Sequence, residues 1–301
     1  ESIITDISLL NASFYNKLDE QSAFALSLRY FTLGEIELRQ FANDPGTIAK
    51  PNELALDGSY SLKLSPTFSM AVGGRYIRSN LKLPQNGSED SQAASSFAVD
   101  VAGYYRSDEI AYNNFDGRWR AGFNLSNIGG KIQYDAGGQE NFLPSKLSFG
   151  GGFDFILDQD NVIGLTTEFN KLLVPTPQDF DNDGDVDSAD NDIYQNESGF
   201  SGIFNSFTDA PGGFGEELKE FTWALGAEYT YQDAFMFRTG YFNESEDKGS
   251  RKFFTLGAGF KFKAAQIDLS YLFSTSQVRN PLENTLRFSL TFNLGEEFYN
   301  D

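Results

Sequence analysis

From Thr285 to Leu294 the chain alternates without a break. Leu286, Phe288, Leu290, Phe292 and Leu294 share one parity, and Thr285, Arg287, Ser289, Thr291 and Asn293 share the other. Successive side chains of a strand point to opposite faces, so this segment predicts a sheet with one continuous apolar face and one polar face. The same pattern recurs along the chain, and its repetition predicts an all-β fold, a transmembrane antiparallel β-barrel of the outer-membrane type. Mean hydropathy is only −0.38, and no run approaches the roughly 18 to 20 apolar residues that a membrane helix needs. A closed sheet is the remaining way to cross hydrocarbon with every backbone amide paired. The 30 Phe and 14 Tyr against 2 Met suit lipid-facing strands with aromatic girdles.

Reading for alternation gives thirteen segments, centred on 7–18, 23–33, 54–64, 68–77, 97–105, 119–128, 147–157, 162–169, 221–231, 235–242, 253–262, 267–273 and 285–294. Tight turns at Asp19-Glu20, Ser65-Pro66, Asp158 to Asn161, Gln232-Asp233 and Ala264-Ala265 alternate with longer polar connections. Short periplasmic turns and long outer loops are the asymmetry of such barrels. Thirteen is odd, whereas bacterial single-chain barrels have even strand counts. The expectation is therefore one domain over residues 1–301 with about 14 strands, at least one of them upstream of Glu1. Polar-face glycines such as Gly150, Gly152, Gly257 and Gly259 are expected to thin the wall or to admit a close neighbour.

The longest connection, residues 174–219, reads as an extracellular insertion. Within it Asp179, Asp181, Asp183, Asp185, Asp187 and Asp190 stand at positions 1, 3, 5, 7, 9 and 12 of a calcium-loop pattern, with Gly184 at position 6. Closely spaced carboxylates repel, and a hard divalent cation offsets that repulsion. Asp185 would contribute its main-chain carbonyl. The terminal ligand is Asp instead of Glu, and Pro175 and Pro177 oppose a regular helix before the loop. A structural calcium ion in residues 179–190 is the expectation, against the alternative of a solvated acidic loop.

His is absent from the chain, as is Cys. Serine-histidine triads, histidine metal sites and thiolate chemistry are thereby excluded, and the protein is expected not to be an enzyme. The formal charge of −20, from 43 acidic and 23 basic residues, argues against a nucleic-acid partner, which requires clustered Lys and Arg.

The stretches YNKLDEQSAFALSLRYFTLGEIELR from Tyr15 to Arg39 and FFTLGAGFKFKAAQIDLSYLFSTSQVRNPLENTLRFSLTFNL from Phe253 to Leu294 closely resemble the PorV family. These are outer-membrane barrels of the type IX secretion system, related to FadL-like transporters. The resemblance spans most of the chain and implies a FadL-like barrel of fourteen strands in outer-membrane lipid. It further implies a role in protein traffic: association with a SprA-type translocon barrel, receipt of secreted cargo through C-terminal signal domains, and delivery to the attachment complex. The alternative is a FadL-like transporter of hydrophobic compounds. Candidate contacts with partners lie in residues 80–95 and in the set Phe200, Ile203, Phe204, Phe207 and Phe214, an apolar group among Gly and Ser that is ill suited to water. The competing expectation for that set is packing against the rest of the protein.

Overall fold

The computed structural model describes residues 7–39, 46–81, 93–134, 139–180, 183–276 and 285–294. Among the described residues thirteen long strands occur: β1 (Ser8–Lys17), β2 (Ser22–Thr32), β3 (Asn52–Ser65), β4 (Phe68–Asn80), β5 (Ala94–Arg106), β6 (Asp116–Gly129), β7 (Lys146–Ile156), β8 (Asn161–Leu172), β9 (Phe221–Tyr231), β10 (Phe235–Asn243), β11 (Lys252–Phe262), β12 (Ala265–Ser274) and β13 (Leu286–Phe292). They neighbour one another in chain order within one sheet, and each alternating segment of the sequence is one of them. No helix among the described residues is long and apolar enough to cross a membrane.

The tight turns have local causes. Asp19 accepts hydrogen bonds from the backbone N–H of Gln21 and Ser22 at 2.8 and 2.7 Å, and Asp158 does the same for Asp160 and Asn161 at 2.8 and 2.9 Å. Side-chain acceptors of this kind stand in for the missing ladder bonds. Gln232 and Asp233 both adopt left-handed backbone, with φ of 54° and 51°. Two such residues in succession match the right-handed twist of a hairpin.

The chain forms two compact units: residues 1–102, 124–146 and 173–211, and residues 103–123, 147–172 and 212–301. In the first unit, Ser27 lies opposite Asp57, and Asp57 opposite Arg75. This parity puts Ser27, Asp57, Arg75 and Asp100 on the polar face. Leu26, Leu28, Leu56 and Val72 take the other face and are exposed, as strands bordering hydrocarbon require. Arg75 binds Asp57, Asn127 and, at 3.0 Å, Asp100. Asp57 also accepts from Ser27 at 2.9 Å, and Asp100 from the Asn127 N–H at 2.7 Å. One guanidinium thus ties β3, β4, β5 and β6 together.

The connection at 129–144 departs from a plain surface loop. Ile132–Gln133 pairs with Glu140–Asn141, and Ile132 and Leu143 bury themselves with Ala94 and Ala98, packed by Ile77 and Tyr134. The alanines of β5 leave the room that this small apolar cluster fills.

In the second unit, Glu228 lies opposite Arg238, Arg238 opposite Gly257, and Gly259 opposite Asp268. Arg238 binds Glu228 on one side and Asp268 on the other, crossing β11 to do so. A Cβ added at Gly259 would stand 2.5 Å from an Asp268 carboxylate oxygen and 3.0 Å from an Arg238 nitrogen. Glycine is therefore required where the ion pair lies flat on the sheet. Arg120 repeats the arrangement, binding Asp154 at 2.8 Å and Thr166 at 3.2 Å with Gly152 and Gly164 beside it.

The two faces of β9 should respond differently to one substitution. Leu225→Arg, on the apolar face, is expected to cost about 2–4 kcal/mol, whereas Ala224→Arg, on the polar face, should cost less than about 1 kcal/mol. Urea unfolding in lipid vesicles measures both, and equal costs would contradict the assignment of the faces.

Candidate functional site

The segment after β8 carries the sequence features that the strands leave unexplained. Its first part belongs to the first unit. Asp179 accepts hydrogen bonds from the N–H groups of Asp183 and Gly184 at 3.2 and 2.8 Å. Asp183 accepts from the Asp185 N–H at 3.0 Å. Gly184 has φ of +98°, a conformation that favours glycine. Helix α1 (Ser188–Asn196) starts at Asp187, which caps it in a reciprocal box with Asp190. Asp190 is 1 % exposed and accepts from the N–H of Phe180 at 2.5 Å and of Asp187 at 3.1 Å. Asp179, Asp183, Asp185, Asp187 and Asp190 thus share one loop, and Asp181 lies outside the described residues. Among the described residues no three of these carboxylates converge within 4.8 Å.

Helix α2 (Gly199–Asn205) follows, capped by the Ser198 hydroxyl, which accepts from the Ser201 N–H at 3.1 Å. Its back rests on the protein. A Cβ at Gly202 would meet Pro175 at 2.7 Å and Phe142 at 3.0 Å, and one at Gly199 would meet the Gly129 carbonyl at 2.8 Å. Ile203 and Ser206 are buried on that side. Phe200, Phe204 and Phe207 recur at helical spacing on the other, and are 62 %, 73 % and 41 % exposed. The apolar set expected from sequence therefore divides. Ile203 anchors, and the three phenylalanines face outward. The fifth member, Phe214, belongs to the second unit and is also exposed. Most of the other candidate contact segment, residues 80–95, lies outside the described residues.

Two further anchors were not visible in the sequence. Lys131 donates to the Gln195 carbonyl at 2.7 Å and sits 4.2 Å from the centre of the Phe142 ring, which in turn meets Tyr194 edge-on at 5.2 Å. Burial lowers the Lys131 ammonium below its usual range, and burial beside Glu197 and Asp209 raises the Tyr194 phenol. Asp209 accepts from the Thr176 N–H at 2.8 Å.

In the second unit the same connection ends at helix α3 (Phe214–Glu217) and a short 3-10 turn, Leu218–Glu220. The fully buried Lys171 of β8 binds Glu217 at 2.9 Å and also Glu220. Lys248 binds Glu216 at 2.6 Å and Glu220 at 3.0 Å, and Lys219 binds Asp247 at 2.7 Å. Burial pushes the Glu220 carboxyl up, but hydrogen bonds and attraction from Lys171 and Lys248 outweigh it and hold the group below its usual range. Glu216 is lowered by its hydrogen bonds to Lys248 and the Gly212 N–H, and Asp247 by Lys219. Lys219 is raised by its hydrogen bond to Asp247. Lys248 is depressed by burial, but Glu216 and Glu220 raise it overall.

The first unit also contains a cavity of about 780 Å³ on the polar face of its strands. Phe31, Ile77, Phe142 and Leu143 form apolar walls, and Arg29, Glu53 and Arg75 add charged groups, Arg75 already paired with Asp57 and Asp100.

A family model described as type IX secretion system protein PorV matches residues 1–179, more than half of the chain. The chain belongs to the PorV family. It is accordingly an outer-membrane component of type IX secretion, and the family is one of secretion machinery, not of enzymes. No curated protein matches the chain. Two crystal structures of the outer membrane protein OprD from Pseudomonas aeruginosa are among the solved structures it resembles. One has 9 % identity and a TM-score of 0.32, with 94 % of this chain and 91 % of that chain covered. The other has 10 % identity and a TM-score of 0.33, with 94 % and 92 % covered. The cavity of this PorV-family chain lies within the matched residues. Helices α1 and α2 lie beyond them.

The clamp around α3 should be pH-dependent at both ends. Glu216, Glu220 and Asp247 titrate below their unfolded values, so their contribution is present above those values and is lost as pH falls through the folded ones. Lys219 and Lys248 titrate above theirs, so their contribution is lost as pH rises through the folded values. A nitroxide label at Gly215 should be immobile between about pH 5 and about pH 10 and should gain mobility only further out, as pH falls through the lowered carboxylate values or rises through the raised lysine values; high mobility within that range would refute the clamp.

Proposed function

We propose that this chain is a non-enzymatic carrier of type IX secretion. In this reading it associates with the SprA-type translocon barrel, receives secreted cargo through the cargo's C-terminal signal domain, and hands it to the attachment complex. Family membership supports the setting. The observation that carries the reading is the outward row formed by Phe200 and Phe204 on α2 and Phe207 just beyond it, on an element whose back is anchored. Exposed aromatic side chains on a firmly held element are suited to partner binding, because little ordering entropy remains to be lost. Isolation from native membranes followed by mass spectrometry should recover a very large barrel together with secreted proteins. Recovery of neither would refute the proposal.

A second reading, transport of a hydrophobic compound as in FadL-like proteins, is favoured by the cavity walled by Phe31, Ile77, Phe142 and Leu143. Its size falls within the roughly 300–1,000 Å³ of small-molecule sites. Stoichiometric fatty acid in the purified protein, with no secretion partner, would favour it over the carrier reading.

The proposal extends to calcium in residues 179–190. Support comes from the six-position spacing and from the left-handed Gly184 at position 6, where such loops turn sharply. Calcium is expected to slow protease cleavage of residues 174–211 by about tenfold relative to chelator. Equal rates would count against a bound ion.

A further inference from the structure

Charge and aromatic exposure coincide in the first-unit part of the long connection. Residues 174–211 contain nine Asp or Glu and no Lys or Arg, nearly half of the formal net charge of −20. Asp183, Asp185, Asp187 and Asp192 are exposed. Interleaved with them along the chain, Val186, Ile193, Phe200, Phe204 and Phe207 are exposed as well. All but the first two of these positions in the apolar row stand on or beside α2, whose opposite side is fixed by Ile203, Gly199 and Gly202. The result is an aromatic ridge in a strongly acidic field.

We infer that this ridge docks a cationic protein surface, one that presents Lys or Arg around apolar side chains. The inference rests on the carrier reading and adds the chemistry of the partner. Charge complementarity selects the occupant. An acidic field raises the local concentration of cationic partners and repels anionic ones. A second copy of the chain would oppose one nine-carboxylate segment to another. An anionic lipid surface would be repelled in the same way. Phenylalanine faces add a direct attraction for Lys and Arg through the ring quadrupole, and aromatic side chains are the usual energetic centres of interfaces.

The test uses the full chain in detergent, with chelator present so that the charge is its own. Two fluorescent peptides are compared by anisotropy, one alternating Lys with Leu and one alternating Glu with Leu. The Lys peptide should bind and the Glu peptide should not. Binding should weaken by about tenfold or more in the double variant Phe200→Ser/Phe204→Ser, and also when salt rises from about 0.05 to about 0.5 M. Both phenylalanines are exposed, so the variant should keep its fold, which its circular dichroism spectrum and heat-modifiable gel mobility check. Equal binding of the two peptides overturns the inference, because charge would then play no part. Loss with salt but not with the double substitution overturns it too, since the loop would be only a charge sink. Phenylalanine-dependent binding to phosphatidylglycerol vesicles, or self-association abolished by the double substitution, would assign the ridge to lipid or to a second copy instead. The carrier reading fails separately, if native membranes yield neither large barrel nor cargo while the peptide result stands.

Discussion

Hydrocarbon offers no partner to a backbone amide, and that constraint organises the rest of this protein. Each unpaired N–H or C=O in lipid costs several kcal/mol, so the spanning chain must form strands that bond to their neighbours. Once it does, alternation assigns every side chain to one of two environments. Leu26 and Leu28 go to lipid while Ser27 goes to the polar face, with no choice left at the level of individual residues. A slip of one residue would exchange the two sets along the whole strand. The register is thus held by the cost of placing Asp57 or Arg75 in hydrocarbon as much as by any contact they make.

That arrangement creates a second problem, which the arginines of the polar face solve. Side chains there are only partly hydrated: Arg75, Asp57 and Asp100 have 14 %, 17 % and 23 % of their side-chain surface exposed. An unpaired charge in such a place is costly, and a paired one without further hydrogen bonds gains little. Arg75, Arg120 and Arg238 are accordingly each shared among acceptors on different strands. The planar guanidinium is suited to this because its donors point in several directions at once. Lying flat across a strand demands that the strand have no side chain underneath, which is why glycine stands at 152, 164 and 259. The sequence pattern of polar-face glycine beside arginine and acid is one device, not two.

The strands were readable because a period of two is a local signal that survives any tertiary arrangement. What escaped was everything decided by residues far apart in the chain. Lys171 shares the parity of Leu165 and Phe169 and stands opposite Phe221, so in the sequence it reads as a stray charge at the end of the apolar face of β8, and only the fold brings it to Glu217 and Glu220, 46 and 49 residues later. Lys131 meets Gln195 across 64 residues. The hairpin at 132–141 was hidden for a different reason, since its apolar content is two or three residues and its partners are alanines. For the aromatic set, composition alone gave Ile203 and Phe204 the same status. Helical geometry separates them, because residues at 199, 202, 203 and 206 share one side and those at 200, 204 and 207 another. The two glycines on the first side were the available clue. Of the acidic loop, spacing disclosed the turn at Gly184 but not that Asp190 would be buried and engaged by two backbone N–H groups.

An exposed row of phenylalanine is tolerable only if the helix that bears it cannot rotate to hide it. α2 has seven residues, too few to be stable alone, so its orientation must be imposed from outside. The caps at Asp187 and Ser198 set where the helices begin, and the contacts of Pro175, Phe142 and Lys131 set how they lie. Burying Phe204 in place of Ile203 would require a turn of the helix that drives a larger ring against Pro175, where even a methyl group on Gly202 would not fit. The close contact that holds the back of the helix therefore also keeps its aromatic face in water. Exposure of these rings follows from packing on the opposite side, which a purely solvated loop would have no means to enforce.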